Sequence, residues 1–325
     1  MNPTSLATAP RVFTRRAFIS TAALLAGGCS PDPVPRLRIG TFTFPGYEPL
    51  FLARSLGKLD EKRVQLLEFP TVAEALLAFK NRAIDGLTVT LDDVLRLAQA
   101  GHEPRIVLML DYSDGADVIV TKQTTADIEA LRGQRVGVET NSVGTFVLAR
   151  ALETKGMKID DVRSISLRAD RIEGAFLRGE LEAVVTYEPY RSRLIARGGR
   201  EIFDSRALNG EIADVLVFRR EGIEAQRANI ALAVKGWRSA LEYIRTQPND
   251  ALARMAPREG LSAEQFGKAI QLIHLYTSDE NRALLSPGDS ALAEKLRKIA
   301  AFLEEQKFLP PGVDVSVLRD GSFSL

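Results

Sequence analysis

The chain has 325 residues, with 43 Lys and Arg against 42 Asp and Glu, so it is almost uncharged. That balance gives no ground for binding nucleic acid or an acidic membrane surface. The length suffices for two lobes of roughly 100–150 residues, each with its own core. Two histidines and one cysteine leave little for metal chemistry or cysteine catalysis, and no metal or cofactor is expected.

Residues 1–29 read as an address. Arg11, Arg15 and Arg16 form a basic head, followed by an apolar run from Ala17 to Gly28. The run is too short to span a bilayer and suits a signal-peptide core. TRRAFIS resembles a twin-arginine export signal, with general secretion as the alternative. LLAGGCS resembles a bacterial lipobox with Cys29 as the lipidated residue, although Ala26 stands where Leu is commoner. Ordinary cleavage, with Cys29 a passive thiol, is the alternative. Acyl chains at Cys29 would anchor the chain to a membrane, and SPDPVP, Ser30 to Pro35, makes a stiff proline-rich tether.

The fold begins with a short strand at Arg38–Thr41, the loop FTFPGY and a helix with Leu50, Leu52, Ala53 and Leu56 on one face. A second strand follows at Val64–Phe69, then a helix ending near Asn81 and a third strand at Leu87–Thr90 leading into TLDD. DYSDGADVIVTK, Asp111 to Lys122, holds a VIV core that reads as a crossing strand. The plan then repeats. A strand at Arg135–Val138 leads to TNSVGT and a helix carrying Phe146, Leu148, Ala149 and Leu152. Strands at Val162–Leu167 and Val184–Tyr187 flank a helix ending near Gly179, and YEPY follows. ADVLVFRR, Ala213 to Arg220, crosses back, and a helix-rich tail runs from about Glu224 to Glu305.

Three pairs of segments carry the repeat: RIGTF and RVGVE, LFLARSL and FVLARAL, AFKNRAIDGLTV and AFLRGELEAVVT. All are offset by 96 or 97 residues and keep the same order. Alternating strands and helices of this length imply α/β lobes, each a mostly parallel sheet flanked by helices. Two crossings between such lobes make a hinge. The expected organisation is a signal peptide over 1–29, a linker over 30–35, lobe one from 36–118 plus 216–325, and lobe two from 119–215.

Ligands of parallel α/β sheets bind beyond the carboxyl ends of the strands, which directs attention to four loops. The first lobe offers Phe44, Gly46 and Tyr47, then Thr90, Leu91 and Asp92. The second offers Asn141, Ser142, Val143, Gly144 and Thr145, then Tyr187 and Glu188, with Tyr190 nearby. Glycines and helix N-termini present backbone N–H groups to anions, and the aromatics can enclose an organic group. Asn141, Ser142 and Asp92 can equally be N-caps, and Pro45–Gly46 a turn. Asp114, Asp117, Glu188 and Asp214 add acidity suited to an amine-bearing ligand or to bracing the hinge.

FPGYEPLFLARSLGKLDEKRVQL, AFKNRAIDGLTVTLDDVL, DYSDGADVIV and AVVTYEPY together resemble the solute-binding proteins of nitrate, alkanesulfonate, taurine and thiamine-pyrimidine importers, over residues 36–320. The resemblance implies the type II periplasmic-binding fold, a two-lobe clamp in the periplasm, and a monomer that delivers its ligand to an ABC permease and ATPase. It places the ligand on Tyr47, Thr90 to Asp92, Asn141 to Gly144 and Glu188. TNSVGT departs from the serine-rich loop of a typical sulfonate binder. The ligand expected is an organic sulfonate or taurine-like compound, with a thiamine-precursor pyrimidine or nitrate as alternatives. Enzymes share this fold, but His102 and His274, the latter in a predicted tail helix, belong to none of the four loops, and the export signal disfavours cytoplasmic biosynthesis. A ligand-binding component of a sensory system is a further alternative.

Overall fold

The computed structural model describes Met1 and residues 35–139, 142–286 and 291–324. The expected export signal, Cys29, most of the tether and Asn141 lie outside them.

The first copy of the repeat is β1 (Leu37–Phe42), α1 (Glu48–Ser55), β2 (Val64–Phe69), α2 (Val72–Lys80), β3 (Gly86–Thr90) and α3 (Leu91–Gln99). After β4 (Pro104–Ser113) and β5 (Val118–Thr121) comes the second copy. It comprises β6 (Arg135–Val138), α4 (Val143–Glu153), β7 (Arg163–Ser166), α5 (Ala169–Leu177), β8 (Ala183–Thr186) and α6 (Tyr190–Ala196). The chain continues through β9 (Arg200–Asp204), β10 (Ala213–Arg219) and α7 (Arg220–Thr246). It ends with α8 (Pro248–Met255), α9 (Ala263–Ile270), β11 (Ile273–Leu275), α10 (Ser278–Leu285) and α11 (Ala291–Glu305).

Two mixed sheets result, in the orders β11-β4-β10-β3-β1-β2 and β7-β6-β8-β5-β9. The first strand of each copy lies between the second and third, parallel to both. In the first sheet β1, β2, β3 and β4 point one way, and β10 and β11 the other. In the second, β5 alone opposes the rest. The antiparallel members β5 and β10 are the crossing strands, because a chain leaving one sheet at its carboxyl end enters the facing sheet from that same end. β10 pairs with β3 from Asp214 and with β4 from Ala213, so the expected boundary at residue 215 falls inside a strand of the first sheet.

The repeat extends to atomic packing. A Cβ on Gly40 would come within 2.4 Å of Ile84 Cδ1, and one on Gly137 within 2.6 Å of Leu181 Cδ1. The same bare backbone in each copy admits the apolar side chain that precedes the third strand. Helix starts follow local chemistry. Thr71 caps α2 by accepting the Glu74 N–H, and capping boxes Ser262–Gln265 and Thr277–Glu280 open α9 and α10. The long α7 buries Trp237 in a cluster shared with Leu50, Leu52 and Ala53 of α1. Phe302 of α11 meets Phe146 of α4 edge to face at 5.4 Å, so the tail also packs against the second copy.

His274 falls in β11 rather than in the helix expected there. β11 completes a tertiary pairing with β4, its ring stacks on Tyr112 at 4.7 Å, and Nε2 lies 2.8 Å from Glu280. Where this short strand ends, Asn281 takes over the edge of β4: its Oδ1 accepts the Met109 N–H at 2.7 Å and its Nδ2 donates to the Met109 carbonyl at 2.9 Å. Asn281→Ala strips both partners from a buried strand edge. Urea unfolding is expected to show a loss of about 2–4 kcal/mol with an unchanged m-value, and a loss under about 0.5 kcal/mol would refute this role.

Candidate functional site

Residues at or just beyond the carboxyl ends of β1, β3, β6 and β8 line a common cleft, partly open to solvent. They are Phe42, Thr90, Glu139 and Tyr187. The loop after β1 adds Phe44 and Tyr47, and α3 adds Asp93 from its first turn. Asp117, before β5, and Ile212 and Asp214, at the start of β10, come from the crossings. Val72 and Val143 complete the lining.

One wall is aromatic. Tyr47 packs edge to face on Phe42 at 5.1 Å and on Phe44 at 5.3 Å. Phe44 reaches across to Tyr187 of the second sheet's side at 6.1 Å. Such pairs keep ring faces and edges in fixed places. The Tyr47 hydroxyl donates to Asp214 Oδ1; burial, then the Asp214 charge, pushes the phenol well above its ordinary range. The loop can lie so close because residue 46 is glycine: a Cβ there would come within 2.1 Å of Asp111 Oδ2.

The rest of the cleft is acidic. Asp93 is 1% exposed; its Oδ2 lies 3.3 Å from the Thr90 hydroxyl, while Oδ1 has no hydrogen-bond partner. Burial, then the Asp92 charge, raises Asp93 well above the usual carboxylate range. Burial raises Asp117 to about 6 and Glu139 to about 7. Burial, with the Asp117 charge, raises Asp214 to about 7. Behind them Asp111 stands opposite Asp214 across β4 and β10, and burial and that neighbour lift it strongly. None of the described residues lining the cleft is basic. Arg96 is held 3.3 Å from Asp92, and Arg168 reaches Glu74 at 2.6 Å. Among the described residues no group of three or more His, Cys, Asp or Glu is placed to hold a metal ion.

An adjoining pocket shares Asp117, Glu139 and Tyr187 and adds Ser142, Gly144 and Thr186. Ser142 is the N-cap of α4: its hydroxyl donates to the Glu139 carbonyl at 2.7 Å and accepts the Gly144 N–H at 3.4 Å.

The structure thus brings together Phe44, Tyr47, Thr90, Asp117, Val143, Tyr187 and Asp214 in one cleft, with Ser142 and Gly144 beside it. Other candidates point elsewhere. Leu91 is wholly buried in the core, and Asp92 is turned to Arg96. Asp114 is exposed, three residues from the buried Asp117. Glu188 is wholly buried against Arg191 at 2.9 Å and the Ser192 hydroxyl at 3.0 Å, bound to the first turn of the helix that follows it, α6. Thr145 lies 3.4 Å from the Glu139 carbonyl, and Tyr190 packs on Tyr187 and under Arg193. Gly46 serves the approach to Asp111. Glu139, Val72 and Ile212 lie outside the loops the sequence points to, although Glu139 directly follows the strand RVGV, while Phe42 and Asp93 are the ends of the loops FTFPGY and TLDD and are not singled out within them.

A two-lobed α/β chain with its cleft at the carboxyl ends of both sheets has the type II periplasmic-binding fold. The chain belongs to the NMT1-like family, whose model matches residues 30–257. It is 26% identical over 305 residues to the aliphatic sulfonates-binding protein of Escherichia coli, covering 91% of each chain. The crystal structure of the periplasmic aliphatic sulphonate binding protein from Escherichia coli aligns with TM-score 0.72 at 22% identity, covering 88% of this chain and 97% of that one. The alkanesulfonate-binding protein from Xanthomonas axonopodis pv. citri, bound to MOPS, aligns with TM-score 0.74 at 18% identity, covering 89% and 98%. A desulfurization enzyme shares the fold at TM-score 0.65 and 15% identity, covering 89% and 97%.

The raised carboxyls make stability run against the usual direction. Each holds its proton more tightly folded than unfolded, so its contribution is complete below about pH 4 and falls as pH rises through the folded values of about 6 to 7. The ligand-free protein is expected to melt at a lower temperature at about pH 8 than at about pH 5, with a flatter profile in Asp214→Asn. A melting temperature that climbs across this window would contradict the electrostatics described.

Proposed function

We propose that this protein is the solute-binding component of an ABC importer, exported to the periplasm and anchored there by lipid at Cys29. It captures a small organic solute by closing its two lobes and hands it to the permease and its ATPase. The observation that carries this reading is the single cleft lined from both sheets and both crossings. Contacts on both sides favour a closed state because an open one offers only part of them. The names of its relatives support a sulfonate-class solute, and a taurine-like compound, with an ammonium beside its sulfonate, suits the acidic lining best. A thiamine-precursor pyrimidine is the second reading, supported by the aromatic wall. Nitrate has neither feature to use. Service to a membrane sensor would employ the same clamp. Catalysis has least support: His102 and His274 lie outside the cleft.

A thermal-shift screen with taurine, alkanesulfonates, aminopyrimidines, nitrate and amino acids tests the reading. A solute at about 100 times its Kd is expected to add roughly 2.7 kcal/mol of stability. Tyr187→Ala removes the ring that meets Phe44 across the cleft and is expected to weaken that solute about tenfold or more, while the fold persists. Unchanged affinity would place binding elsewhere. For the anchor, Cys29→Ala is expected to move the processed protein from washed membranes to the soluble fraction; retention would count against lipidation.

A further inference from the structure

We infer that the group this cleft recognises on its solute is a cationic nitrogen, held by Asp93, Asp117 and Asp214 against the aromatic wall of Phe44, Tyr47 and Tyr187. The inference rests on the solute-binding reading and names the chemistry of its ligand.

Three independent features converge. First, the lining carries Asp93, Asp117, Glu139 and Asp214 and, among its described residues, no Lys, Arg or His. An anion entering there meets only like charge or the protons needed to cancel it, whereas a cation meets its counter-charge at once. Second, Asp93 Oδ1 is buried at the cleft wall and accepts no hydrogen bond. A buried carboxylate oxygen left bare costs free energy, and a donor on the solute supplies what the fold omits. Third, the same lining carries aromatic rings, whose negative faces attract organic cations. With no metal-holding group in the described residues, the cation that fits is organic: an ammonium, a quaternary ammonium or a protonated ring nitrogen.

The groups facing the site from each packed element set the pH response. They are Asp93 from α3, with Asp92 and Arg96 behind it; Asp111 and Asp214 from β4 and β10; and Asp117 from the crossing. Glu139 after β6 feels Arg168 and Asp170, and Tyr47 and Tyr187 add phenols. A cation displaces protons from these carboxyls, so its affinity rises with pH through the range of about 6 to 7 in which Asp117, Glu139 and Asp214 ionise.

The test is equilibrium dialysis of the full chain against a small-molecule extract of the producing cells. The extract is supplemented with pairs differing in the charged nitrogen: taurine with ethanesulfonate, benzylamine with benzyl alcohol, and choline with its neutral carbon analogue. Retained solutes are read by mass spectrometry. The nitrogen cation of a pair is expected to be retained over its partner, with about tenfold tighter binding near pH 8 than near pH 5.5. Asp93→Asn and Asp117→Asn are each expected to weaken it on the order of 30-fold, with melting curves confirming that both variants fold. Retention of an anion without charged nitrogen, equal affinity for taurine and ethanesulfonate, or full affinity in both folded variants would overturn the cation and leave the solute-binding reading standing. Retention of no solute would overturn the solute-binding reading itself.

Discussion

Everything about this site follows from the chain crossing twice between two sheets. β5 enters the second sheet between β8 and β9, and β10 returns between β3 and β4, each opposed in direction to its neighbours. An inserted strand must satisfy backbone donors and acceptors on both sides, so its register cannot drift. That register places Asp214 against Thr90 on one side and Asp111 on the other. It also fixes Asp117 directly before β5, with its N–H donating to the Ser113 hydroxyl. The crossings therefore supply acidic groups to the middle of the cleft.

Burying that many carboxyls has a clear consequence. Ionised together in a poorly solvated cleft they repel one another, and each has lost much of its hydration. Without a counter-charge they hold protons above the usual carboxylate range, the direction for Asp93, Asp111, Asp117, Glu139 and Asp214. The Tyr47 hydroxyl relieves one of them by donating to Asp214, but a phenol cannot neutralise it. Sites arranged this way are poised for a partner that brings positive charge. Structural ion pairs in the same region, such as Asp92 with Arg96 and Glu188 with Arg191, show what a fold does when it intends to settle an acid permanently.

Much of the architecture was legible because the repeat is written in the sequence. Gly40 and Gly137, and Ile84 and Leu181, sit 97 residues apart and pack alike. The strand ends that face the cleft could be named for the same reason. What the sequence does not carry is which way a side chain turns beyond a strand. Thr90-Leu91-Asp92-Asp93 forms one turn of helix start, so adjacent residues face different directions: Leu91 enters the core and Asp92 meets Arg96, while Thr90 and Asp93 line the cleft. The same holds for Asp114 and Asp117, separated by a turn that exposes one and buries the other. His274 reads as helical from its neighbours, yet the free edge of β4 imposes a strand, a tertiary demand with no local signature.

The two halves of the acidic set belong to different sheets, and under the proposed closure this would tie recognition to movement. Asp93 and Asp214 ride on the first sheet and Glu139 on the second, with Asp117 at the crossing between them. Bringing the sheets together concentrates like charge, so closure without a solute requires protons on the carboxyls, while a cation placed between them turns the same repulsion into attraction across the cleft. A solute can bias a conformational equilibrium only by binding its two states differently. Here the difference needs no special device. The aromatic rings Phe44 and Tyr187, one on each side, meet across the cleft, so in the proposed closure a cation seated among them would gain the second sheet's carboxylate and ring as the lobes meet.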